Sequence, residues 1–315
     1  MKKIVFLTLT LLMSAGLLAQ SYTLRQYTFS TGSNPAAPPA SASYTLQGSV
    51  VGGLSGQEAI STSYRLLAGY YLGTLSVPFP PGWLSLKVFL EGPSNPTDPS
   101  MNTSLNTGGY LPLTQPFNQA PWNYSGTEAV ATIPAGVVDW MLVELRDAAT
   151  PAEANAGTLV PGWPKAFLLK SDGTITETDG SSLPSLHGLA VENNLFVVVR
   201  HRNHLAVMSA EGLSYEGGGY SWDFTQALEK AFARKDKSAY LNGHKLLANG
   251  LYGMFGGDGD ANGQVQTQDK NNIWNPQSGL SGYRAGDFDL NGQVQTQDKN
   301  NIWNPNSGIG SSVPQ

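Results

Sequence analysis

Apolar and polar residues alternate along much of this chain, which is the period of a β-strand. Ser43 to Val50 and Ser63 to Tyr70 both alternate and are joined through Gly-rich turns. Leu84, Leu86, Val88 and Leu90 share one face of a strand beginning at Trp83. Val138 to Asp147 is a longer strand with its charges at the exit, and Ala166 to Lys170 runs into Ser171-Asp172-Gly173-Thr174, a hairpin turn. Leu195 to Met208 is a further strand region. One stretch breaks the pattern. Phe224, Ala227, Leu228, Ala231 and Phe232 recur at helical spacing, with Asp223 placed as an N-cap and Gln226 in the capping-box position.

The first apolar run, Ile4 to Leu12, follows Lys2 and Lys3 and precedes Leu17-Leu18-Ala19. That is the layout of a secretory signal peptide over residues 1–19. The run is too short to span a bilayer, and no later stretch reaches the roughly 18 apolar residues a span needs. The expectation is therefore a secreted, extracellular protein with no membrane span, soluble or held at the cell surface. Residues 20–75 read as an N-terminal β-hairpin block and 76–82 as a Pro-rich linker. Residues 83–250 read as an antiparallel β-sandwich, 251–309 as a separate repeat module and 310–315 as a tail. The fold class is mainly β.

Composition supports that layout and narrows the function. Charged residues make up 13% of the chain, against 36 glycines and 20 prolines, which suits short strands and many turns. There is no cysteine, so disulfides contribute nothing to an exported fold. The formal net charge is −5, and removal of Lys2 and Lys3 makes it more negative. Phosphate binding needs a basic stripe, so nucleic acid is excluded as a partner.

From residue 257 onward the chain repeats itself. Asn262 to Gly279 and Asn291 to Gly308 match at 17 of 18 positions, 29 residues apart, with Gln277 against Asn306 the one exception. Each copy opens on a metal-loop spacing. The first places Asp258, Asp260 and Asn262 at positions 1, 3 and 5, Gly263 at 6, Gln264 at 7 and Asp269 at 12. The second places Asp287, Asp289, Asn291, Gly292, Gln293 and Asp298 identically. Calcium takes six to eight oxygens, and oxygens at 1, 3 and 5 converge when the chain curls tightly. Glycine at 6 permits the bend, position 7 offers its backbone carbonyl, position 9 (Gln266, Gln295) acts through water, and the carboxylate at 12 closes the site. All six acidic residues of 251–315 fall on positions 1, 3 or 12. Two Ca2+ sites follow from that placement. Val265 and Val294, at position 8, are expected to pair the two loops across a strand contact. Their side chains would share a small core with Ile273, Trp274, Ile302 and Trp303. Pro276 and Pro305 are expected to end the following helix after about two turns.

These loops resemble the dockerin type I module, a pair of EF-hand-like calcium loops each followed by a helix. The resemblance covers about 50 residues and implies calcium ligands at Asp258, Asp260, Asn262, Asp269, Asp287, Asp289, Asn291 and Asp298. Asp stands where EF-hands usually carry Glu. It also implies docking to a cohesin-like or other surface-protein partner. Val138 to Asp147 and Val199 to Met208 resemble a module of large secreted surface proteins of Bacteroidota, which implies a location but no reaction.

Other chemistry is weaker. His201 and His204, three apart within Arg200-His201-Arg202-Asn203-His204, would suit zinc on a helix, but on a strand they point to opposite faces. The expectation is a polar strand end bonding Glu144, Asp147 or a turn carbonyl. Asp139 and Asp147 lie roughly 26 Å apart along one strand, too far to act as a glycosidase pair. No Gly-x-Ser-x-Gly elbow, cysteine nucleophile or phosphate loop occurs. Trp140 reads as core, while Trp122 and Tyr124 lie in a loop-like stretch that would suit a polysaccharide face. Taken together these features point to a non-catalytic surface, assembly or adhesion protein. The alternatives are a carbohydrate-binding accessory of a polysaccharide-degrading complex, a filament subunit that self-assembles by strand exchange, and a hydrolase.

Overall fold

The structure is a computed structural model. It describes residues 82–186, 189, 191–234 and 244–315, together with two short strands, β1 (Gln57–Ile60) and β2 (Arg65–Ala68). These two pair as a two-stranded sheet. The expected signal peptide, the strand expected at Ser43 to Val50 and most of the expected linker lie outside the described residues. The described residues from 82 onward belong to one compact unit.

That unit is mainly β. Its largest sheet has five strands, β4 (Val137–Ala148), β5 (Lys165–Lys170), β6 (Ile175–Thr176), β7 (Asn194–Arg200) and β8 (Val207–Met208), ordered β6-β5-β4-β7-β8. Every pairing in it is antiparallel. The strand at Val138 to Asp147 and the hairpin after Lys170 stand where the sequence places them. The region 195–208 instead forms two strands, separated by the loop 201–206.

β4 is buried along nearly its whole length because both faces of the sheet are covered. On one face Leu145, Val197 and Val199 join the main core with Phe89, Phe117 and Phe224. On the other, Phe196, Val198 and Met208 pack with Ala154 and Val313. Residues 310–315 are thus part of the fold: Val313 is buried and Arg146 Nη1 donates to the Pro314 carbonyl at 2.8 Å.

A three-stranded sheet is built from β3 (Trp83–Lys87), β9 (Tyr215–Glu216) and β10 (Gly219–Asp223). Leu84 and Leu86 point inward as the alternation requires. β3 pairs with β10 in parallel, which departs from the expected all-antiparallel arrangement. β11 (His244–Leu246) and β12 (Tyr252–Met254) form an antiparallel pair, and Met254 N donates to the Phe89 carbonyl at 2.8 Å, just beyond β3.

The helix expected over Phe224 to Phe232 is absent. Only Leu228–Lys230 makes one tight 3₁₀ turn. Asp223 does bond the Thr225 backbone N–H at 2.8 Å, but this closes a turn rather than capping a helix. Phe224 N donates to Lys87 O and Phe232 N to Met208 O, so flanking strands take the backbone groups a helix would need. Phe224 enters the main core and Phe232 packs on the opposite cluster. Burial in two separate cores outweighs helical spacing.

Candidate metal centre

Both acidic loops curl the same way. The backbone is left-handed at position 4, with φ of 56° at Ala261 and 57° at Leu290, and again at position 6, with φ of 85° at Gly263 and 88° at Gly292. Glycine adopts this freely, whereas Ala and Leu are strained there by roughly 1–2 kcal/mol. Strain at the same position of both copies shows that the curl is imposed by the loop, not by one local contact.

The curl brings the acids together. Carboxylate oxygens of Asp258, Asp260 and Asp269 lie within 4.8 Å of one another, and so do those of Asp287, Asp289 and Asp298. Each triad could hold a metal ion. Gly263 N donates to Asp258 Oδ2 at 3.0 Å and Gln266 N to Asp269 Oδ2 at 2.7 Å. The second loop repeats this, with Gly292 N on Asp287 Oδ2 at 2.9 Å and Gln295 N on Asp298 Oδ2 at 2.7 Å. Asn262 and Asn291 stand beside the triads, each with Oδ1 accepting from the backbone N–H of Gln264 or Gln293 at 3.0 and 2.8 Å. Gln264 and Gln293 sit on isolated bridges to Gly310 and Ser281 with their side chains exposed.

Packing these carboxylates without a counter-charge is costly. Burial, then the neighbouring Asp269 carboxylate, pushes Asp258 up to about 8. Burial likewise raises Asp269 to about 6, with Asp260 adding repulsion. In the second loop burial lifts Asp287 and Asp298 to about 6 and Asp289 to about 7, and like charges within the triad add to each. One atom is more specific. Asp258 is 2% exposed, and its Oδ1 is buried with no hydrogen-bond partner. A buried acceptor left unpaired is unfavourable, and a hard cation among three carboxylates supplies the missing partner. The donor set, all oxygen, fits such an ion.

The copies embrace rather than run side by side. Val265 and Val294 are buried but do not pair the loops with each other. Val265 N donates to Ile309 O, and Val294 N to Leu280 O, so each valine pairs with the segment that follows the other copy's helix. The tryptophans repeat the exchange: Trp274 Nε1 donates to Gln295 O at 2.9 Å and Trp303 Nε1 to Gln266 O at 3.0 Å. Lys270 lies over the Trp303 ring and Lys299 over Trp274. The shared core contains Val265, Trp274, Val294, Ile302 and Trp303 as expected, joined by Leu205, Phe255 and Phe288, while Ile273 is half-buried. Each repeat helix is wide-turned π-helix, over Asp269–Trp274 and Asp298–Trp303, and then runs through the proline for one α-turn. Pro276 and Pro305 sit within that last turn, and each helix stops one residue later, at Gln277 and Asn306, close to where the prolines were expected to end it.

The Arg200 to His204 segment meets its expectation for the arginines, since Arg200 bonds Glu144 and Arg202 Nη1 bonds the Arg284 carbonyl, but not for the histidines. β7 ends at Arg200, so His201 and His204 flank a bend at residues 202–203 and meet, Nδ1 to Nδ1 at 3.1 Å, instead of facing opposite sides. Gly92 N–H donates to His204 Nε2 at 3.2 Å, which leaves the His204 proton on Nδ1. His201 Nε2 faces Asp139 Oδ2 at 3.1 Å. Asp139 is fully buried; burial would raise it, but Arg202, His201 and Tyr283 together hold it down at about 2. Burial also keeps both imidazoles below their usual range and neutral. Glu144 does not reach the histidines. It forks between Arg146, at 2.6 Å, and Arg200. Asp147 accepts from Glu192 N and Asn193 N. The sequence therefore named the right residue types at 200–204 but the wrong partners for the histidines, since Asp139 is brought beside them only by the pairing of β4 with β7.

Trp140 is core, its Nε1 on the Pro112 carbonyl at 2.9 Å. Trp122 and Tyr124 are half-buried against the main core. Trp122 meets Phe117 edge-on and Tyr124 donates to Glu128 at 2.5 Å, which makes them covers of a core edge. Among the described residues no helix is long and apolar enough to cross a membrane. Comparison with known proteins gives no match: no family model, no curated protein and no solved structure aligns with this chain.

Proposed function

We propose that this is a secreted, non-catalytic surface or assembly protein whose C-terminal loop pair binds two calcium ions. The observation that carries the reading is the twin Asp triad with its buried, unpartnered Asp258 Oδ1. Asp258, Asp260 and Asn262 with Asp269, and Asp287, Asp289 and Asn291 with Asp298, would hold the ions, with the carbonyls of Gln264 and Gln293 as further ligands. Bound calcium would offset the repulsion within each triad and lock the two exchanged copies together. Support for a sandwich in the central region comes from β4, which is buried on both faces. Secretion rests on the N-terminal charge and apolar pattern.

The reading is dockerin-like in its loops and calcium dependence. The second copy is packed on the central region through Asn306, whose Nδ2 donates to Glu91 Oε2 at 2.5 Å. The first copy is then the face through which a surface-protein partner would be met. The decisive experiment is a calcium titration of the full chain by calorimetry. Two equivalents bound supports the reading; no binding heat together with no change in melting temperature on adding chelator overturns it.

A further inference from the structure

The two acidic loops share their ligand positions but not their surroundings. Positions 2 and 4 carry Gly259 and Ala261 in the first loop and Phe288 and Leu290 in the second. Phe288 is fully buried within the repeat core, and Leu290, at 1% exposure, belongs to the main core of the central region. The second loop is therefore plugged into that region by its own side chains.

Its backbone is gripped from two sides. Asn203 Nδ2 donates to the Asp287 carbonyl at 2.7 Å and to the Ala285 carbonyl at 3.1 Å. Gly92 presses against the next peptide, so closely that a Cβ there would fall 1.9 Å from the Phe288 carbonyl oxygen. The two grips belong to one network, because His204 bonds Asn203 through Nδ1 and Gly92 through Nε2. Inside the loop, Asp298 Oδ1 accepts from both Phe288 N and Asp289 N, at 2.7 and 3.0 Å, and Asp287 Oδ1 accepts from Asn291 N at 3.1 Å. The first loop is looser. Asp269 Oδ1 accepts from Asp260 N at 3.2 Å, and Asp258 Oδ1 accepts nothing.

We infer that Asn203 and Gly92 are positioning residues that hold the second loop in its ion-binding shape, so that the second site binds calcium more tightly than the first. The inference rests on the calcium reading above. Its physical basis is preorganisation: a loop already ordered by the fold does not lose that entropy again on binding. The first loop completes its geometry with its ion.

Single-site backgrounds test this in the full chain. Asp269→Asn removes the closing ligand of the first loop and leaves the second; Asp298→Asn does the reverse. Calcium affinity is measured by calorimetry in each background, with and without Asn203→Ala. The expected result is tighter binding in the Asp269→Asn chain, a loss there of about tenfold on adding Asn203→Ala, as two hydrogen bonds to the loop disappear, and a change within about twofold in the Asp298→Asn chain. Gly92→Ala, a wedge under the same loop, is expected to repeat the pattern and serves if Asn203→Ala does not fold. A purely structural role would lower the melting temperature in chelator and leave the two affinities in their original ratio, which overturns the inference. Equal weakening of both sites overturns it as well. Failure of the wild-type chain to bind calcium overturns the calcium reading too, and so is told apart from these outcomes.

Discussion

Tyr283 Oη donates to Asp139 Oδ1 at 2.7 Å, so the segment between the two acidic loops is anchored in the buried charge cluster of the central sheet. Arg202 completes the contact. Its Nε bonds Asp139 Oδ2 at 2.9 Å and its guanidinium lies 4.2 Å from the centre of the Tyr283 ring. The repeat module and the sheet are held together through charge and hydrogen bonding as well as through apolar packing.

Saturating calcium is expected to stabilise the chain by about 2.7 kcal/mol per site when free calcium is about 100-fold above the dissociation constant. Differential scanning calorimetry with and without chelator measures this. A melting temperature indifferent to chelator counts against it.

The pH dependence should reverse between the metal-free and calcium-loaded chains. In chelator, a carboxyl raised to about 8 in the folded state, as for Asp258, favours folding below its unfolded value near 4 and loses that contribution as pH rises towards 8. The stability of the wild-type chain relative to Asp258→Asn should therefore fall from pH 5 to pH 8. With calcium present, the ligands must be ionised, and the wild-type chain should be the more stable of the two at pH 8. Denaturant titrations of both chains at the two pH values give the comparison.

Asp139 works in the opposite direction. Its folded value near 2 lies below the unfolded value, so its contribution is present above about pH 4 and is lost as pH falls through 4 to 2. Asp139→Ala leaves Arg202 buried without its carboxylate and should cost about 3–5 kcal/mol. Tyr283→Phe removes one hydrogen bond to a charged group and should cost about 1.5–3 kcal/mol. Urea unfolding at pH 7 reads both, and a negligible effect of Asp139→Ala would show that the cluster contributes no stability.

Truncation after Gly310 is expected to destabilise the central sheet and not merely shorten the chain. Val313 leaves the cluster over Phe196 and Val198, and Arg146 loses the Pro314 carbonyl. Uncovering Val313 alone accounts for about 1.5–3 kcal/mol. A shortened chain that melts with the full-length protein would refute the docking of this segment.

Trp274→Phe and Trp303→Phe each delete one reciprocal indole bond, at about 0.5–1.5 kcal/mol apiece. Because the two bonds cross between the copies, each substitution should perturb the loop of the other copy. Backbone amide exchange at Gln295 and Gln266, respectively, measures that exchange of support.

What was legible in the sequence follows from local rules. The period-2 alternation located β3, because a strand with one buried face cannot slip by one residue without exposing it, while β4 and β5 were marked by apolar runs that end in charges or a turn. The loop spacing located both triads because a twelve-residue curl brings positions 1, 3 and 12 together whatever surrounds it. The helical spacing at Phe224 to Phe232 misled because those side chains divide between two cores. His201 and His204 were placed on opposite faces because the end of β7 at Arg200 leaves no mark in the alternation.

The sequence by itself therefore determined β4, β5 and the start of β7, the repeat and the six acids of its loops, all marked by residues close together in the chain. Only the tertiary structure decided that the valines and tryptophans exchange partners between copies, that Asp139 meets His201, Arg202 and Tyr283, and that the second loop is seated in the central core while the first is not. Those outcomes depend on groups far apart in sequence sharing one buried volume. Each residue's partner there is chosen by packing and by the need to satisfy every buried polar group, which no local pattern encodes.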